Sequence, residues 1–271
     1  MAIDPTRFCI NRKIAPNLSI EAFFQLVTRL GLHKVELRND MPSGKVTDDL
    51  TPEQLRALTA KYNIEIITIN ALYPFNQISD DLLARAEALL QEAKSIGAQA
   101  LVMCPLNDGT RIDARTTLAA LKTLAPLFEK YGVKGLVEPL GFPVSSLRSA
   151  FEARNLIREA NLPFQLVLDT FHHHLYENAE QEQANADITP DIGLVHLSGV
   201  EDPRPTAALT DEERIMLTEE DLLKSVQQVQ ALEKRGYKGI YAFEPFSSVL
   251  SSWDEKEIEQ QIRHSIALLQ G

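Results

Sequence analysis

The sequence predicts a closed (β/α)8 barrel, in which eight parallel strands alternate with helices. Short apolar runs followed by amphipathic stretches recur eight times along the 271 residues, and strands that alternate with helices call for a parallel sheet. The length is also close to the roughly 250 residues typical of such a barrel. No linker, low-complexity segment or composition break divides the chain. We therefore expect residues 1–271 to form a single TIM-barrel domain.

The predicted strands are short continuous apolar runs, as expected for parallel strands that are buried on both faces. In chain order they span residues 7–11, 34–38, 64–70, 98–104, 133–138, 165–169, 193–198 and 239–244. The two cysteines, Cys9 and Cys104, lie in the first and fourth runs. We interpret both as small buried hydrophobic residues of a reduced protein.

The predicted helices follow the strands and span residues 19–30, 51–62, 79–96, 113–131, 147–160, 218–235 and 254–269. The second begins Thr51-Pro52, which places proline at the first helical position. Four helices end in a glycine shortly before the next strand, as left-handed C-caps do; these are Gly31, Gly97, Gly132 and Gly236. Two longer loops, at 39–45 and 199–217, follow strands two and seven, where barrels usually carry specificity residues.

Composition excludes several classes of protein. The net charge of −11 disfavours a nucleic-acid partner, because phosphate binding depends on clustered lysine and arginine. No apolar stretch approaches the roughly 18 residues of a membrane span. The first residues carry no basic and apolar leader. We therefore expect a cytoplasmic protein with no membrane partner.

Four successive strands, five to eight, end in residues that can bind a metal: Glu138, Asp169, His196 and Glu244. Barrel enzymes carry their active sites at these carboxyl ends, so adjacent strands would bring the four side chains together. Any one of them could instead cap a helix or pair with arginine, but four in register favour a metal site. Three carboxylates and one imidazole suit one divalent metal ion, namely Mn2+, Zn2+, Co2+ or Mg2+.

The histidines after strand six include one candidate for substrate contact. A helical turn after Asp169 would bring His172 back over the metal site. His173 and His174 are expected to be exposed, and His33 is expected at the opposite barrel end in a structural role. The sequence contains no glycine-rich phosphate loop. A neutral polyol or keto-sugar is therefore favoured over a phosphorylated substrate.

Several motifs carry a family resemblance over nearly the whole chain. They are Val-Glu-Leu-Arg at 35–38, Ile-Asn-Ala-Leu at 69–72, Val-Glu-Pro-Leu-Gly at 137–141, Leu-Val-Leu-Asp-Thr-Phe-His at 166–172, Val-His-Leu at 195–197 with Glu201-Asp202, Leu-Thr-Asp-Glu-Glu-Arg at 209–214, and Glu244. With them the chain resembles the xylose isomerase-like TIM-barrel superfamily of sugar isomerases and epimerases. Within it, the chain is most similar to the inosose isomerases of inositol catabolism.

The resemblance implies roles for these residues. One divalent metal would bind Glu138, Asp169, His196 and Glu244, and the two glutamates would also act as the acid/base pair. His172 and Arg214 would contact substrate oxygens, and we also assign Asn70 to substrate binding. Family members usually have a Pro-Gly turn soon after the arginine that matches Arg214, whereas this chain has Ile-Met-Leu-Thr-Glu at 215–219. The pocket rim is therefore expected to differ.

These roles predict an isomerase or epimerase that works through an enediolate, which the metal would stabilise as a Lewis acid. Returning the abstracted proton to the neighbouring carbon gives isomerisation, and returning it to the opposite face of the same carbon gives epimerisation. An inosose dehydratase and a non-catalytic sugar-binding barrel remain alternatives, and a homo-oligomer is possible. A DNA-repair endonuclease of this fold is disfavoured, because strands two and three do not end in the extra histidines of a three-zinc cluster.

Overall fold

The computed structural model describes residues 2–271. Eight strands span Phe8–Asn11 (β1), Lys34–Arg38 (β2), Glu65–Leu72 (β3), Ala100–Met103 (β4), Lys134–Val137 (β5), Phe164–Asp169 (β6), Ile192–Leu197 (β7) and Tyr241–Phe243 (β8). The helices span Ile20–Arg29 (α1), Pro52–Tyr62 (α2), Asp80–Ile96 (α3), Ala114–Tyr131 (α4), Ala150–Glu159 (α5), Thr170–Leu175 (α6), Ala179–Asn185 (α7), Ser225–Lys234 (α8) and Glu255–Gln270 (α9).

The strands form a closed parallel barrel in chain order, which confirms the predicted fold class. Closure is made by β1 against β8, with Cys9 opposite Ala242. In the half of the barrel that carries the predicted ligands, Asp169 lies opposite His196. Backbone hydrogen bonds continue the ladders one residue past β5 and β8, since Glu138 N donates to Met103 O and Glu244 N donates to Leu197 O. The four predicted ligands are thereby placed at one end of the barrel.

Two apolar layers result from burial on both faces of each strand. The outer layer packs the strands against the helices and includes Phe23, Leu90, Phe128 and Ile262. The inner layer fills the barrel with small and branched side chains, namely Cys9, Ile67, Ala100, Val102, Leu136, Val167, Leu194 and Ala242. These inner residues lie below the predicted ligands and form the dry floor of the site. Cys9 is buried, as predicted, and Cys104 is half-buried.

Side-chain caps determine where most helices begin. Thr51 and Gln54 form a capping box at α2, while Ser79 and Asp113 cap α3 and α4. The predicted helix ends are also observed, because Gly97 and Gly132 adopt left-handed conformations directly after α3 and α4. A glycine there avoids the steric penalty that a Cβ atom would meet.

The predicted start of the last helix but one, at residue 218, is wrong by seven residues, since α8 begins at Ser225. The cause is Asp221, whose carboxylate accepts the backbone N–H groups of Val200, Leu223 and Ser225 and so holds the preceding segment as a loop. Within residues 2–271, the structure contains no helix with both the length and the apolar character needed to cross a membrane.

Candidate metal centre

The structure brings the four predicted ligands together. Glu138, Asp169, His196 and Glu244 each offer one donor atom, and these atoms lie within 4.8 Å of one another. His196 Nδ1 lies 2.6 Å from Glu138 Oε2, 3.2 Å from Glu244 Oε1 and 3.9 Å from Asp169 Oδ2. All four side chains are buried. One imidazole nitrogen therefore faces three carboxylates at the carboxyl ends of β5 to β8.

The donor set fits a divalent cation. Among residues 2–271, neither His196 Nδ1 nor Glu138 Oε2 has a hydrogen-bond partner, although both atoms are buried and lie close together. Buried polar atoms without partners are rare in folded proteins, because each loses its hydration without compensation. A cation bound among these atoms would satisfy both. One nitrogen and three carboxylate oxygens are ligands that Zn2+, Mn2+ and Co2+ accept.

The charges of the cluster also call for a cation. Burial raises the pKa of Glu138 to about 7, and the nearby Glu244 and Asp169 carboxylates reinforce the shift. Burial likewise raises the pKa of Asp169. Burial alone would lower the pKa of His196, but the surrounding carboxylates raise it well above its usual value. Without a cation, the cluster must therefore hold extra protons to limit its negative charge.

Two buried arginines neutralise part of this charge from one side. Arg38 Nη1 donates to Glu244 Oε2 at 2.6 Å, and Arg214 Nη2 donates to Asp169 Oδ2 at 2.6 Å. The ring of Phe246 lies between them, 5.0 Å from the Arg38 guanidinium carbon and 4.5 Å from that of Arg214. Although burial raises the pKa of Glu244, His196 and the two guanidiniums lower it below its ordinary value. Glu244 is thus anchored, whereas Glu138 has no arginine partner among residues 2–271.

His172 lies next to the candidate ligand Asp169, whose Oδ1 accepts its backbone N–H at 3.3 Å. It lies in α6, whose first turn is capped by the Asp169 carboxylate, and its Nδ1 accepts the backbone N–H of Gly141 at 3.0 Å. Its Nε2 therefore carries the proton. Burial, with a contribution from the Arg214 charge, lowers the pKa of His172 to about 3. His172 is a neutral donor at the edge of the site, with Phe142 packed edge-on 5.1 Å away.

The other predicted site residues lie nearby but are engaged with protein groups. Arg214 is fully buried, and Asn70 donates its amide to Glu36 and Thr68. Their contact with substrate stays a prediction. His173 and His174 are half-buried rather than exposed, because α6 packs their side of the helix under the neighbouring segments. His33 is exposed at the amino end of β2, as predicted.

The sequence reasoning missed two residues of the site, Glu36 and Arg38. Both were noted only as part of a family motif. They alternate with Val35 and Leu37 along β2, and both are buried. In an open sheet this alternation would indicate a solvent face. In a closed barrel alternate residues of a strand point into the interior, so charged residues at alternate positions of β2 are the signal that could have identified them.

Several known proteins resemble this chain in sequence and in fold. The sequence model of a family described as xylose isomerase-like TIM barrel matches residues 24–270. A xylose isomerase domain-containing protein from Salmonella typhimurium LT2 is similar in structure, with a TM-score of 0.98 and 63% identity over 99% of both chains. The chain is also 24% identical over 252 residues to the inosose isomerase of Bacillus subtilis strain 168, covering 89% of each sequence.

A more distant structure adds a metal to the comparison. The IOLI protein, solved with a bound zinc atom, superimposes with a TM-score of 0.84 over 97% of this chain and 98% of its own, at 21% identity. At that identity the likeness concerns the fold alone.

Proposed function

This chain belongs to the xylose isomerase-like TIM barrel family, and on that premise we propose that it is a divalent-metal-dependent isomerase or epimerase of an uncharged keto-polyol such as an inosose. The observation that carries the proposal is the convergence of Glu138, Asp169, His196 and Glu244, whose donor atoms lie within 4.8 Å of one another. The zinc in the IOLI structure and the activity named for the Bacillus subtilis relative support it.

All four residues would hold the cation, which would act as a Lewis acid toward the oxygens of an α-hydroxyketone. Glu138 and Glu244 are the proposed acid/base pair, and their surroundings differ, because Glu244 is held by Arg38 and Arg214 while Glu138 pairs only with His196 among residues 2–271. Glu138, which has no arginine partner in the described part of the chain, would take the proton from the carbon beside the carbonyl with a carboxylate oxygen that does not bind the cation. Glu244, held by Arg38, would exchange a proton on the other side.

Substrate and product of such an isomerisation contain the same number of protons, so the reaction needs no further reagent. The C–H proton moves to a carboxylate and returns to the neighbouring carbon, while one hydroxyl proton moves to the former carbonyl oxygen. Glutamates with different acid strengths suit this exchange, since the group that accepts a proton must be ionised while the group that donates one must be protonated. His172, a neutral Nε2–H donor, would hold a substrate oxygen at the rim.

The balance of charge favours an uncharged substrate. Four buried carboxylates surround the site, namely Glu36, Glu138, Asp169 and Glu244, and two buried guanidiniums accompany them. A divalent cation with Arg38 and Arg214 would neutralise this set, leaving no surplus positive charge for a phosphate or carboxylate. Burying an unbalanced anion here would cost free energy. Polyols and ketoses meet the requirement.

Deuterium exchange tests the proposal. Protein loaded with Mn2+ or Zn2+ would be incubated with 2-keto-myo-inositol in D2O and followed by NMR, with Glu244→Gln as the inactive control. Deuterium in the substrate together with a new ketose isomer is the expected result. Loss of water from the product, seen by mass, would indicate a dehydratase instead. Bound metal without exchange in any uncharged ketose would indicate a non-catalytic binding protein.

A further inference from the structure

Glu36 lies beneath the candidate metal centre, and among residues 2–271 His196 is the one candidate ligand that it contacts directly. Glu36 belongs to β2, and the side chains of Glu36 and His196 are both fully buried. Glu36 Oε2 lies 2.9 Å from His196 Nε2, the ring nitrogen that faces away from the other carboxylates. Among residues 2–271, no lysine or arginine forms an ion pair with Glu36. Within the described part of the chain, the imidazole of His196 is thus the one ionisable side chain that Glu36 contacts directly.

The hydrogens around Glu36 can be placed from its partners. Its Oε1 accepts from Asn11 Nδ2 at 3.0 Å, and its Oε2 accepts from Thr68 Oγ1 at 2.6 Å and from Asn70 Nδ2 at 2.9 Å. Asn70 Nδ2 also donates to Thr68 Oγ1, so the threonine hydrogen is directed at Glu36. Every one of these groups is a donor. Three donors stabilise the ionised form of this carboxylate, which can then only accept, so His196 Nε2 donates to it as well.

A proton on His196 Nε2 leaves Nδ1 free to bind a metal. Nδ1 is the nitrogen that lies 2.6 Å from Glu138 Oε2 and 3.2 Å from Glu244 Oε1, within the cluster of donor atoms. Histidine ligands commonly donate their second nitrogen to a carboxylate, which fixes the tautomer and strengthens the ligand. Glu36 is the carboxylate in that position.

We infer that Glu36 is a positioning residue: its charge holds His196 as the Nε2–H tautomer and aims Nδ1 at the divalent cation. The inference rests on the proposed metal-dependent function and extends it to a residue that touches neither metal nor substrate. Asn11, Thr68 and Asn70 serve the same end, because their donors keep the carboxylate ionised and fixed in the dry interior.

The test compares the metal affinity of Glu36→Gln with that of wild type, using Zn2+ in competition with a chromogenic chelator. Glutamine keeps the size of the side chain and one oxygen for His196 but removes the charge. We expect Zn2+ binding to weaken by roughly 10–100-fold, the usual effect of losing such a partner. The absorption bands of Co2+-loaded protein should also shift, which a purely structural change far from the ligands would not cause.

Glu233→Gln is the matched control. Glu233 is another buried glutamate, bound to Arg7 and Tyr241 at the opposite end of the barrel. We expect this variant to lose thermal stability while keeping wild-type Zn2+ affinity. Equal Zn2+ affinity in wild type and Glu36→Gln would overturn the positioning role and leave the proposed function standing. A wild-type protein that takes up neither Zn2+ nor Mn2+ would overturn both.

A measurement on the wild type tests the inferred tautomer even where Glu36→Gln does not fold. In Zn2+-loaded protein labelled with 15N at histidine, the imidazole shifts report which nitrogen carries the proton. We expect His196 to be protonated at Nε2 and bound to the metal through Nδ1. Protonation at Nδ1, with the metal on Nε2, would contradict the inference.

Discussion

The close approach of Gly141 to His172 makes a sharp prediction about the rim of the site. A Cβ atom added at Gly141 would lie 2.0 Å from the His172 carbonyl oxygen and 2.8 Å from its carbonyl carbon. Both contacts are with backbone atoms of His172, so rotation of a side chain cannot relieve the clash. In Gly141→Ala the two segments must separate by about 1 Å, which also breaks the Gly141 N–H to His172 Nδ1 hydrogen bond.

The size of the effect follows from these contacts. Overpacking costs about 1–3 kcal/mol and the lost hydrogen bond about 1 kcal/mol, so we expect a destabilisation of about 2–4 kcal/mol. For a chain of this length that lowers the melting temperature by roughly 5–15 °C. If His172 positions substrate as proposed, a displacement of about 1 Å should slow deuterium exchange by roughly 100-fold. Thermal denaturation and the NMR exchange assay measure the two quantities.

Gly239→Ala is the control for overpacking alone. Its Cβ atom would meet the Tyr237 hydroxyl at 2.4 Å, at the other end of the barrel, where the contact is the far end of a side chain. This variant should lose some stability and keep the exchange rate. Wild-type melting and exchange in Gly141→Ala would refute the reasoning, since they would mean that the rim is not held at the observed distance.

Three further predictions concern the metal, the acid/base pair and pH. Glu244→Gln should reduce deuterium exchange by roughly 100- to 10,000-fold, with an unchanged circular dichroism spectrum. Removal of the cation with EDTA should lower the melting temperature, since an ion at 100 times its Kd stabilises by about 2.7 kcal/mol. Although burial raises the pKa of Glu233, hydrogen bonds from Arg7 and Tyr241 lower it overall. The Arg7–Glu233 ion pair therefore stabilises the fold at neutral pH and loses its effect as pH falls through the lowered pKa of Glu233. The free energies of unfolding of wild type and Glu233→Gln, measured in urea, should therefore converge in acid.

Each of these has a result that would contradict it. Near-wild-type exchange in Glu244→Gln would remove this residue from the acid/base pair. An unchanged melting temperature in EDTA, with elemental analysis showing that a bound metal had been lost, would mean that the cluster gains no stability from the ion. A stability gap between wild type and Glu233→Gln that stays constant from neutral to acid pH would show that the pair does not lower this pKa.

The barrel and its four candidate ligands could be predicted because their signals are local. An apolar run that ends in a carboxylate or an imidazole, as at Asp169, is visible without knowing what lies opposite. The same holds for the helix caps at Thr51 and Asp113. Each depends on residues within a few positions, and the structure confirms the elements they define.

The parts that escaped prediction depend on contacts between distant residues. Glu36 meets His196 across 160 positions, and Arg38 meets Glu244 across 206. Their importance appears only once β1 and β8 close the barrel and turn the polar face of β2 inward. The start of α8 was missed for a similar reason, because Asp221 bonds to the backbone of Val200 on the far side of its loop.

The dry floor of the barrel has a consequence for isotope transfer. Because small and branched side chains fill the interior below Glu138, water can reach that carboxylate only from the loop side. A proton taken from substrate would thus be lost to solvent only through the mouth that substrate itself covers. Under the proposed function, part of the deuterium taken from a labelled substrate would return to the product and part would be lost to water. The fraction retained after one turnover would therefore measure the rate of transfer from the carboxylate to the product relative to the rate at which water enters the covered mouth.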